Sequence, residues 1–197
     1  LVLYDRLLSQ LIKRKDHTLS DEMEALLAAA QDATQGGSQV FRMFNNADVR
    51  FPSIRGTDGR EISVTHGTYI SLMEHPDRRI RREAFQSLYG VYRQYSNTLA
   101  AAFGANVKQA VFYAKARKYS SSREYFLSAN EVPEAVYDRL ISSVRKGLPV
   151  LHRYISLRKK LLKLNELHMY DVYVPLVSEA DKHYTFEEAK KMVKEGL

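Results

Sequence analysis

The chain has no cysteine among its 197 residues. It can therefore form no disulfide bond, thiolate metal site or cysteine nucleophile, and this composition is compatible with a reducing compartment, so we expect a cytoplasmic protein. It also lacks an apolar run of about 18 residues, the length that a membrane-spanning helix needs. No secretory signal is visible at the N-terminus. From these absences we expect no membrane partner.

Short motifs that mark catalytic sites are missing as well. The sequence has no glycine-rich phosphate loop, no G-x-S-x-G elbow and no H-E-x-x-H, the spacing that places two imidazoles on one helical face for zinc. His66 and His75 are nine positions apart and do not form such a pair. The serine run at residues 120–122 lacks a strand–turn–helix context and is interpreted as a polar loop. The residues alone therefore predict no catalytic residue and no metal ligand in this chain.

Basic residues outnumber acidic ones, with 30 Lys and Arg against 23 Asp and Glu and a formal net charge of +7. This balance makes nucleic acid or an acidic partner worth considering. The densest basic clusters, residues 78–82 and 158–160, lie within helical patterns, and we interpret them as solvated helix faces. Neither has the flanking aromatic residues of a single-strand binding groove. We expect no nucleic-acid partner and keep a basic helical binding module as the alternative function.

Apolar residues recur with helical spacing along most of the first two thirds of the chain. A helix that begins after Ser20 should end at the glycine pair 36–37. The longest helix is predicted after Pro76, because a stripe with helical spacing runs from Ile80 to Val107. Two glycines inside this stripe, Gly90 and Gly104, each cost about 1 kcal/mol relative to alanine, so a bend or break is expected near one of them.

The last third of the chain predicts further helices and one extended segment. A helix that begins at Pro133 and Glu134 should end at Gly147 and Pro149, with an antiparallel helix after it that carries Leu151, Tyr154, Ile155, Arg158 and Leu162. The segment "HMYDVYVP" after Asn165 alternates in polarity and ends in proline, which predicts a strand or extended segment. Thr185 and Glu188 form a capping box for the final helix.

The stretch "FPSIRGTDGREISV", residues 51–64, does not follow the helical pattern. Apolar residues flank the turn-rich sequence Gly-Thr-Asp-Gly, which predicts a β-hairpin at about residues 49–65. A hairpin by itself is only marginally stable in water. We therefore expect Phe51, Ile62 and Val64 to pack against the long helix, with Pro52 on an edge strand. The predicted fold class is all-α, a multi-helix bundle with this one small β-hairpin.

Helical patterns reach both ends of the sequence. Leu3, Leu7 and Leu11 already have helical spacing at the start, and Phe186 and Val193 lie on a helical stripe that the last residue interrupts. We therefore expect the chain to be a piece of a longer protein.

Taken together, five blocks resemble oligoendopeptidase F, a member of the thimet-type zinc metallopeptidase family. They are "FNNADVRFPSI", "DGREISVTHGTYISLMEHPDRRIRREAFQSLYGVYRQYSNTLAA", "KARKYSSSREYFL", "VYDRLISSVRKGLPVLHRYISLRKKLL" and "YDVYVPL". The likeness covers nearly the whole chain in order, although none of the blocks is a catalytic signature. It implies that residues 1–165 are a helical N-terminal and middle region of a larger, mostly helical peptidase. Residues 166–197 would begin its catalytic region.

The resemblance also implies the chemistry of the complete protein. It would be a zinc metalloendopeptidase that hydrolyses short unfolded peptides in a deep channel, with zinc held by an H-E-x-x-H helix and a later glutamate. Those ligands lie beyond this sequence, so no Zn²⁺ is expected in this chain, which should be inactive alone. Its expected partners are the missing C-terminal catalytic part and the peptide substrate. A helical scaffold without any small ligand is a third interpretation.

Polar and aromatic groups that interrupt the apolar patterns are the candidates for the channel wall. The candidate residues are Arg117, Tyr119, Ser121, Tyr170 and Asp171. The alternative role for each is packing between helices or hydrogen bonding within loops. For Asp171 that alternative is a hydrogen-bonded structural acid, although a catalytic acid in a cleft would have the same pattern.

Overall fold

Helices account for most of the chain in the computed structural model, which describes residues 2–177 and 184–196. The α-helices are α1 Asp5–Arg14, α2 Asp21–Thr34, α3 Gly36–Met43, α4 His66–Glu74, α5 Arg78–Gln94, α6 Ser96–Ala116, α7 Ser122–Ser128, α8 Glu134–Leu161 and α9 Phe186–Glu195. Short 3₁₀ turns cover Val2–Tyr4, Lys15–His17 and Met169–Asp171, and a π turn covers Phe44–Asp48. The predicted all-α class is confirmed. None of the described helices is both long and apolar enough to cross a bilayer.

The chain divides into two compact units. Unit 1 consists of Leu1–Phe51 and Leu88–Leu151, and unit 2 consists of Pro52–Ser87 and His152–Leu197. Each unit is therefore assembled from two separate stretches of sequence.

The contact between α3 and α6 in unit 1 depends on a glycine. A Cβ atom on Gly37 would lie 2.7 Å from the carbonyl oxygen of Ala102 and 2.9 Å from the Cβ of Ala105. These distances are too short for any side chain, so the two helix backbones approach each other across a bare Cα.

The predicted stop at residues 36–37 is correct for α2, which ends at Thr34, but the two glycines then begin α3.

The β-hairpin lies in unit 2 and is shorter than the predicted span of 49–65. Strand β1, Ile54–Arg55, pairs antiparallel with β2, Glu61–Ile62, and Ile54 lies opposite Ile62. Gly59 closes the turn with a φ of 79°, a conformation that favours glycine.

Two side chains of α5 hydrogen-bond to the hairpin and to the residues before it. Arg79 Nη1 donates to the carbonyl of Arg55 at 3.1 Å, and the Ser87 hydroxyl donates to the carbonyl of Pro52 at 2.6 Å. Val64 is buried, whereas Ile62 is half-buried. In unit 1, Phe51 is half-buried and its ring centroid lies 5.9 Å from that of Tyr92 on α5. Hydrogen bonds to α5 therefore supplement the marginal stability of a two-stranded sheet.

The break in the helix after Pro76 is not near Gly90 or Gly104. It lies at Tyr95, between α5 and α6, where φ is −98° and ψ is 16°. The ring of Tyr95 packs on Phe44, with the centroids 5.0 Å apart, whereas both glycines continue the helix. The break therefore coincides with an aromatic contact, and the cost of about 1 kcal/mol for a glycine inside a helix is tolerated at both glycines.

The prediction of two antiparallel helices around Gly147 and Pro149 is wrong. Residues 134–161 form the single helix α8, which is 28 residues long and has Pro149 inside it. Proline removes one hydrogen bond, the one to the carbonyl of Arg145. That residue is exposed, so water can satisfy the carbonyl and the helix continues.

The segment after Asn165 is not a strand. Met169–Asp171 is a 3₁₀ turn in which the backbone N–H of Asp171 donates to the carbonyl of His168 at 2.9 Å. The Asp171 carboxylate in turn accepts the N–H of His168 at 3.0 Å. This local side-chain bond competes with an extended backbone and explains why alternating polarity misled the prediction. In contrast, the predicted capping box of α9 is present, with Thr185 N–H donating to Glu188 at 2.7 Å.

Candidate functional site

The turn that follows α6 places Arg117 and Tyr119 in unit 1. Lys118 has a left-handed φ of 60°, and the N–H of Tyr119 donates back to the carbonyl of Ala114 at 2.8 Å. A left-handed residue directly after a helix is the usual way to reverse the chain there. The two candidate side chains therefore sit on a turn with a defined backbone.

Arg117 forms a two-pronged ion pair with Glu24 of α2. Nη1 and Nη2 of Arg117 donate to the two carboxylate oxygens at 2.8 and 2.7 Å. This hydrogen bonding lowers the pKa of Glu24, which also accepts the N–H of Leu19, and raises the pKa of Arg117. The bidentate geometry holds the guanidinium in one orientation.

An aromatic stack extends from this ion pair. The rings of His17 and Tyr119 lie parallel within 6°, with centroids 3.6 Å apart, and Tyr125 meets Tyr119 edge-on at 5.3 Å. His17 Nδ1 lies 2.8 Å from the carbonyl oxygen of Arg117. Because a carbonyl only accepts, Nδ1 carries the hydrogen. The turn after α6 and the end of the 3₁₀ turn Lys15–His17 are thus joined by both a stack and a hydrogen bond.

His17, Arg117, Tyr119 and Tyr125 border a cavity of 780 Å³ within unit 1. One side consists of polar residues at helical spacing along α1 and the turn after it, and the other side consists of residues from the α6–α7 region. The lining includes Gln10, Lys13, Arg14, His17, Arg117, Tyr119, Glu124, Tyr125, Phe126, Glu131 and Glu134. A second cavity, of 600 Å³, also has Arg117 in its lining, together with Glu24 and Tyr113. Both volumes lie within the range of small-ligand sites.

Ser121 has a structural part in the α6–α7 region. Its hydroxyl accepts the N–H of Glu124 at 3.0 Å and so caps the N-terminus of α7. Ser120 donates to the Glu124 carboxylate at 2.6 Å through its hydroxyl. Ser121 is not among the residues that border the 780 Å³ cavity. Of the run interpreted as a polar loop, Ser120 and Ser121 precede the helix, and Ser122 is the first residue of α7.

Asp171 anchors a cluster of arginines in unit 2. Its side chain is fully buried, and its oxygens accept from Arg78 Nε at 3.0 Å, Arg78 Nη2 at 2.9 Å and Arg81 Nη2 at 3.0 Å. Burial alone would raise the pKa of Asp171, but the hydrogen bonds from Arg78, from the N–H of His168 and from Arg81 outweigh it and lower the pKa. The carboxylate is therefore ionised inside the fold.

The interpretation of the basic clusters as solvated helix faces is wrong for Arg81 and Arg158, because both side chains are buried. Their exposed fractions are 3% and 5%. Arg81 Nη1 donates to the carbonyls of His75 and Pro76, both at 2.8 Å. Arg158 donates to the carbonyls of Asp171 and Val174. The sequence carried one signal of this, since Arg158 lies on the apolar stripe with Tyr154 and Ile155.

Tyr170 packs within the same cluster. Its ring stacks on His168 at 5.0 Å, meets Phe85 edge-on at 5.9 Å and lies under the Arg78 guanidinium at 5.4 Å. The five candidates therefore fall into two groups, with Arg117, Tyr119 and Ser121 in unit 1 and Tyr170 and Asp171 in unit 2. Sequence reasoning missed His17, Glu24, Arg78 and Arg81, which contact them. Contact with a channel remains a prediction for all five.

The described residues do not offer a zinc site. Within residues 2–177 and 184–196, no three His, Asp or Glu side chains come together in an arrangement that could hold a metal ion. His168 Nε2 and the Glu166 carboxylate are 3.7 Å apart, but no third such ligand joins them in this part of the chain.

Comparison with known proteins places the chain in a family. A family model described as Peptidase family M3 matches residues 71–195, and one described as Oligopeptidase F matches residues 1–51. The first match covers more than half of the chain. The chain belongs to peptidase family M3. Both matched regions contribute to the lining of the 780 Å³ cavity. His17 lies in the match to residues 1–51, and Tyr119 lies in the match to residues 71–195.

Members of the M3 family resemble the chain over almost all of its length. Oligopeptidase PepF of Bacillus subtilis is 46% identical over 197 residues, which are 100% of this chain and 29% of the relative. Group B oligopeptidase PepB of Streptococcus agalactiae is 43% identical over 98% of this chain and 32% of its own length. The crystal structure of oligoendopeptidase-F from Enterococcus faecium superposes with a TM-score of 0.86 at 45% identity, covering 98% of this chain and 36% of that one.

The chain thus spans about a third of the length of the curated relatives it matches. The resemblance to oligoendopeptidase F and the helical fold with one hairpin, as part of a larger peptidase, are both confirmed by these findings.

Proposed function

We propose that this chain is the non-catalytic, helical part of a cytoplasmic zinc-dependent oligoendopeptidase that hydrolyses short unfolded peptides. Residues 1–165 form its helical region and residues 166–197 begin the catalytic region. The observation that carries the proposal is the match to peptidase family M3 by a chain that spans about a third of its relatives. In this proposal the zinc ligands belong to the remaining polypeptide, and the described residues bring no three His, Asp or Glu side chains together for a metal ion.

The part played by this chain in the reaction is to bind and orient the peptide. Arg117 and Tyr119 border a cavity and are held by Glu24 and His17, so they form a fixed surface against which an extended peptide can lie. Ser121 supports the same wall by capping α7, and Tyr170 presents a ring over an arginine cluster that Asp171 fixes. Held side chains lose little freedom when a ligand binds.

The charge distribution does not favour the alternative of a nucleic-acid binding module. Arg81 and Arg158 are buried and donate to groups inside unit 2, so they are not available to phosphates. Arg117 and Arg123 are paired with Glu24 and Glu134. These four arginines are therefore engaged within the fold, although the formal net charge of +7 is unchanged by such pairing.

The proposal is tested by comparing the complete protein with the 197-residue chain on a fluorogenic peptide. We expect the complete protein to hydrolyse the peptide, a chelator to abolish the activity and Zn²⁺ to restore it. The chain alone should be inactive and should regain activity when the C-terminal part is added in trans. Hydrolysis by the chain alone would contradict the proposal. Failure of the complete protein to cleave any peptide would instead favour a scaffold without a small ligand.

Substitution of Tyr119 tests whether the cavity wall contacts the peptide. In the complete protein, Tyr119→Ala should raise KM with a smaller change in kcat, because it removes binding surface and not reacting groups. Tyr113→Ala is a suitable comparison, since Tyr113 borders only the 600 Å³ cavity of the two. Equal kinetics for wild type and Tyr119→Ala would remove this wall from the substrate path.

A further inference from the structure

The 780 Å³ cavity has two sides of different chemistry. Gln10, Lys13, Arg14 and His17 have the spacing i, i+3, i+4 and i+7, so they share one helical face along α1 and the turn after it. The other side contributes aromatic rings from Tyr119, Tyr125 and Phe126. Phe126 is 59% exposed, so its ring is accessible to a ligand in the cavity.

Most charges around this cavity are already paired. Lys13 Nζ lies 3.2 Å from the Glu131 carboxylate, and Arg117 is held by Glu24. Glu134 pairs with Arg123, which is outside the lining. The Glu124 carboxylate accepts from the N–H and the hydroxyl of Ser120 at 2.8 and 2.6 Å.

One cation remains in the lining without a partner. The Arg14 side chain is exposed and makes no ion pair or hydrogen bond with any other residue in the described ranges 2–177 and 184–196. A guanidinium is always charged at physiological pH and has a fork of donors that matches a carboxylate. The cavity therefore combines a single available guanidinium with an apolar aromatic surface.

We infer that this cavity binds the C-terminal end of a peptide, with the free α-carboxylate at Arg14 and an apolar last side chain against Tyr125 and Phe126. The inference rests on the proposed function, because it takes the ligand to be a peptide. One free cation matches one singly charged carboxylate, whereas a doubly charged phosphate would call for more unpaired donors. The volume of 780 Å³ is large enough for several atoms beyond the terminal residue.

The geometry also explains how the carboxylate is favoured over an internal residue. An internal peptide bond presents a neutral carbonyl to Arg14, and a hydrogen bond to a charged acceptor is the stronger one. The aromatic residues cannot supply that discrimination, since they would accept an apolar side chain at any position. Arg14 selects the end of the peptide, and the rings select its last residue.

The test uses the complete protein and a fluorescein-labelled peptide ending in phenylalanine, made once with a free C-terminal carboxylate and once as the amide. Affinity is measured by anisotropy, with chelator present so that no peptide is cleaved. We expect the amide to bind about tenfold more weakly, as the loss of one charge-assisted hydrogen bond implies. Replacing the last phenylalanine by glycine should also weaken binding.

Variants at Arg14 separate this carboxylate contact from general attraction of a basic protein. Arg14→Gln should weaken binding of the acid about tenfold and leave the amide unchanged, so that the two peptides bind equally. Arg14→Lys should restore part of the difference. Arg42→Gln, at an exposed position of α3 outside the lining, removes the same charge and should change neither affinity.

Every outcome of these binding measurements either supports the inference or overturns it. Equal affinities of wild type for acid and amide would overturn it, as would an equal loss in Arg42→Gln and Arg14→Gln. Anisotropy does not depend on cleavage, so the result stands apart from peptidase activity. If the protein hydrolyses peptides but binds acid and amide equally, the proposed function stands and this inference fails.

Thermal unfolding is the folding control for the Arg14 variant. Arg14 has no described side-chain partner, so Arg14→Gln should unfold at the wild-type temperature.

Discussion

Asp171 shows how strongly one buried side chain can affect unit 2. It is fully buried and is paired with Arg81, which is itself 3% exposed. Asp171→Asn would leave a buried guanidinium without its anion, and breaking a buried pair in this way costs about 3–5 kcal/mol. We expect that loss in urea unfolding followed by circular dichroism. Asp138→Asn, which breaks a pair that is 43% and 61% exposed, should change stability by less than about 1 kcal/mol.

The same carboxylate predicts a dependence of stability on pH. The pKa of Asp171 is lowered below its ordinary value of 3.8 in the folded chain. A carboxylate whose pKa is lower in the folded than in the unfolded chain stabilises the fold at pH values above its unfolded pKa. This stabilisation is lost as the pH falls through the folded pKa. The difference in unfolding free energy between wild type and Asp171→Asn should therefore shrink as the pH falls below 3.8. A difference that stays constant down to the acid-unfolded state would contradict this assignment.

Individual contacts were the part of the site that sequence reasoning could least predict. The polarity of Arg117 and Tyr119 within apolar patterns selected them as candidates. The partners of Arg117 are 93 residues away at Glu24 and 100 residues away at His17, where nothing in the local pattern marks them. Such pairs follow from the packing of α2 and the 3₁₀ turn Lys15–His17 against the end of α6, which a single sequence does not specify.

At the scale of elements, Gly37 determines how closely α3 can approach α6. Gly37→Ala should destabilise the chain by about 1–3 kcal/mol, because overpacking at this contact outweighs the better helix propensity of alanine. Gly36→Ala is the matched control, since a Cβ at Gly36 meets nothing within 4 Å. That control should raise stability by up to about 1 kcal/mol. Thermal unfolding of both variants measures the difference, and an equal effect on both would show that the contact is not tight.

The period of apolar residues predicted which segments are helical but not how helices end. The stripe from Ile80 to Val107 is helical as expected, yet it is interrupted at Tyr95, where the ring packs on Phe44, and the pattern does not mark this position. Pro149 stays inside α8 because an exposed helix tolerates one missing hydrogen bond. The turn at Asp171 combines a local bond to the N–H of His168 with ion pairs to arginines of α5. The contact of Tyr95 and the ion pairs of Asp171 involve distant parts of the chain, which the residues of the segment do not specify.

For the whole molecule, the part of α8 in unit 1 presents an apolar stripe to solvent. Tyr137, Leu140, Val144, Leu148 and Leu151 are spaced 3, 4, 4 and 3, and their exposed fractions are 42%, 62%, 58%, 36% and 51%. Monomeric proteins rarely expose so long a row of apolar side chains. The curated relatives are about three times as long as this chain, so we expect the remaining polypeptide to cover the stripe.

The 197-residue chain by itself should therefore self-associate through α8. We expect sedimentation velocity to show oligomers of the chain, and the double variant Leu140→Lys with Val144→Lys to shift it toward the monomer by placing charge in the stripe. Ser142→Lys with Ser143→Lys adds the same charge at exposed polar positions of the same helix and should leave association unchanged. If both double variants dissociate equally, charge alone is responsible. If the wild-type chain is monomeric at high concentration, the stripe needs no partner.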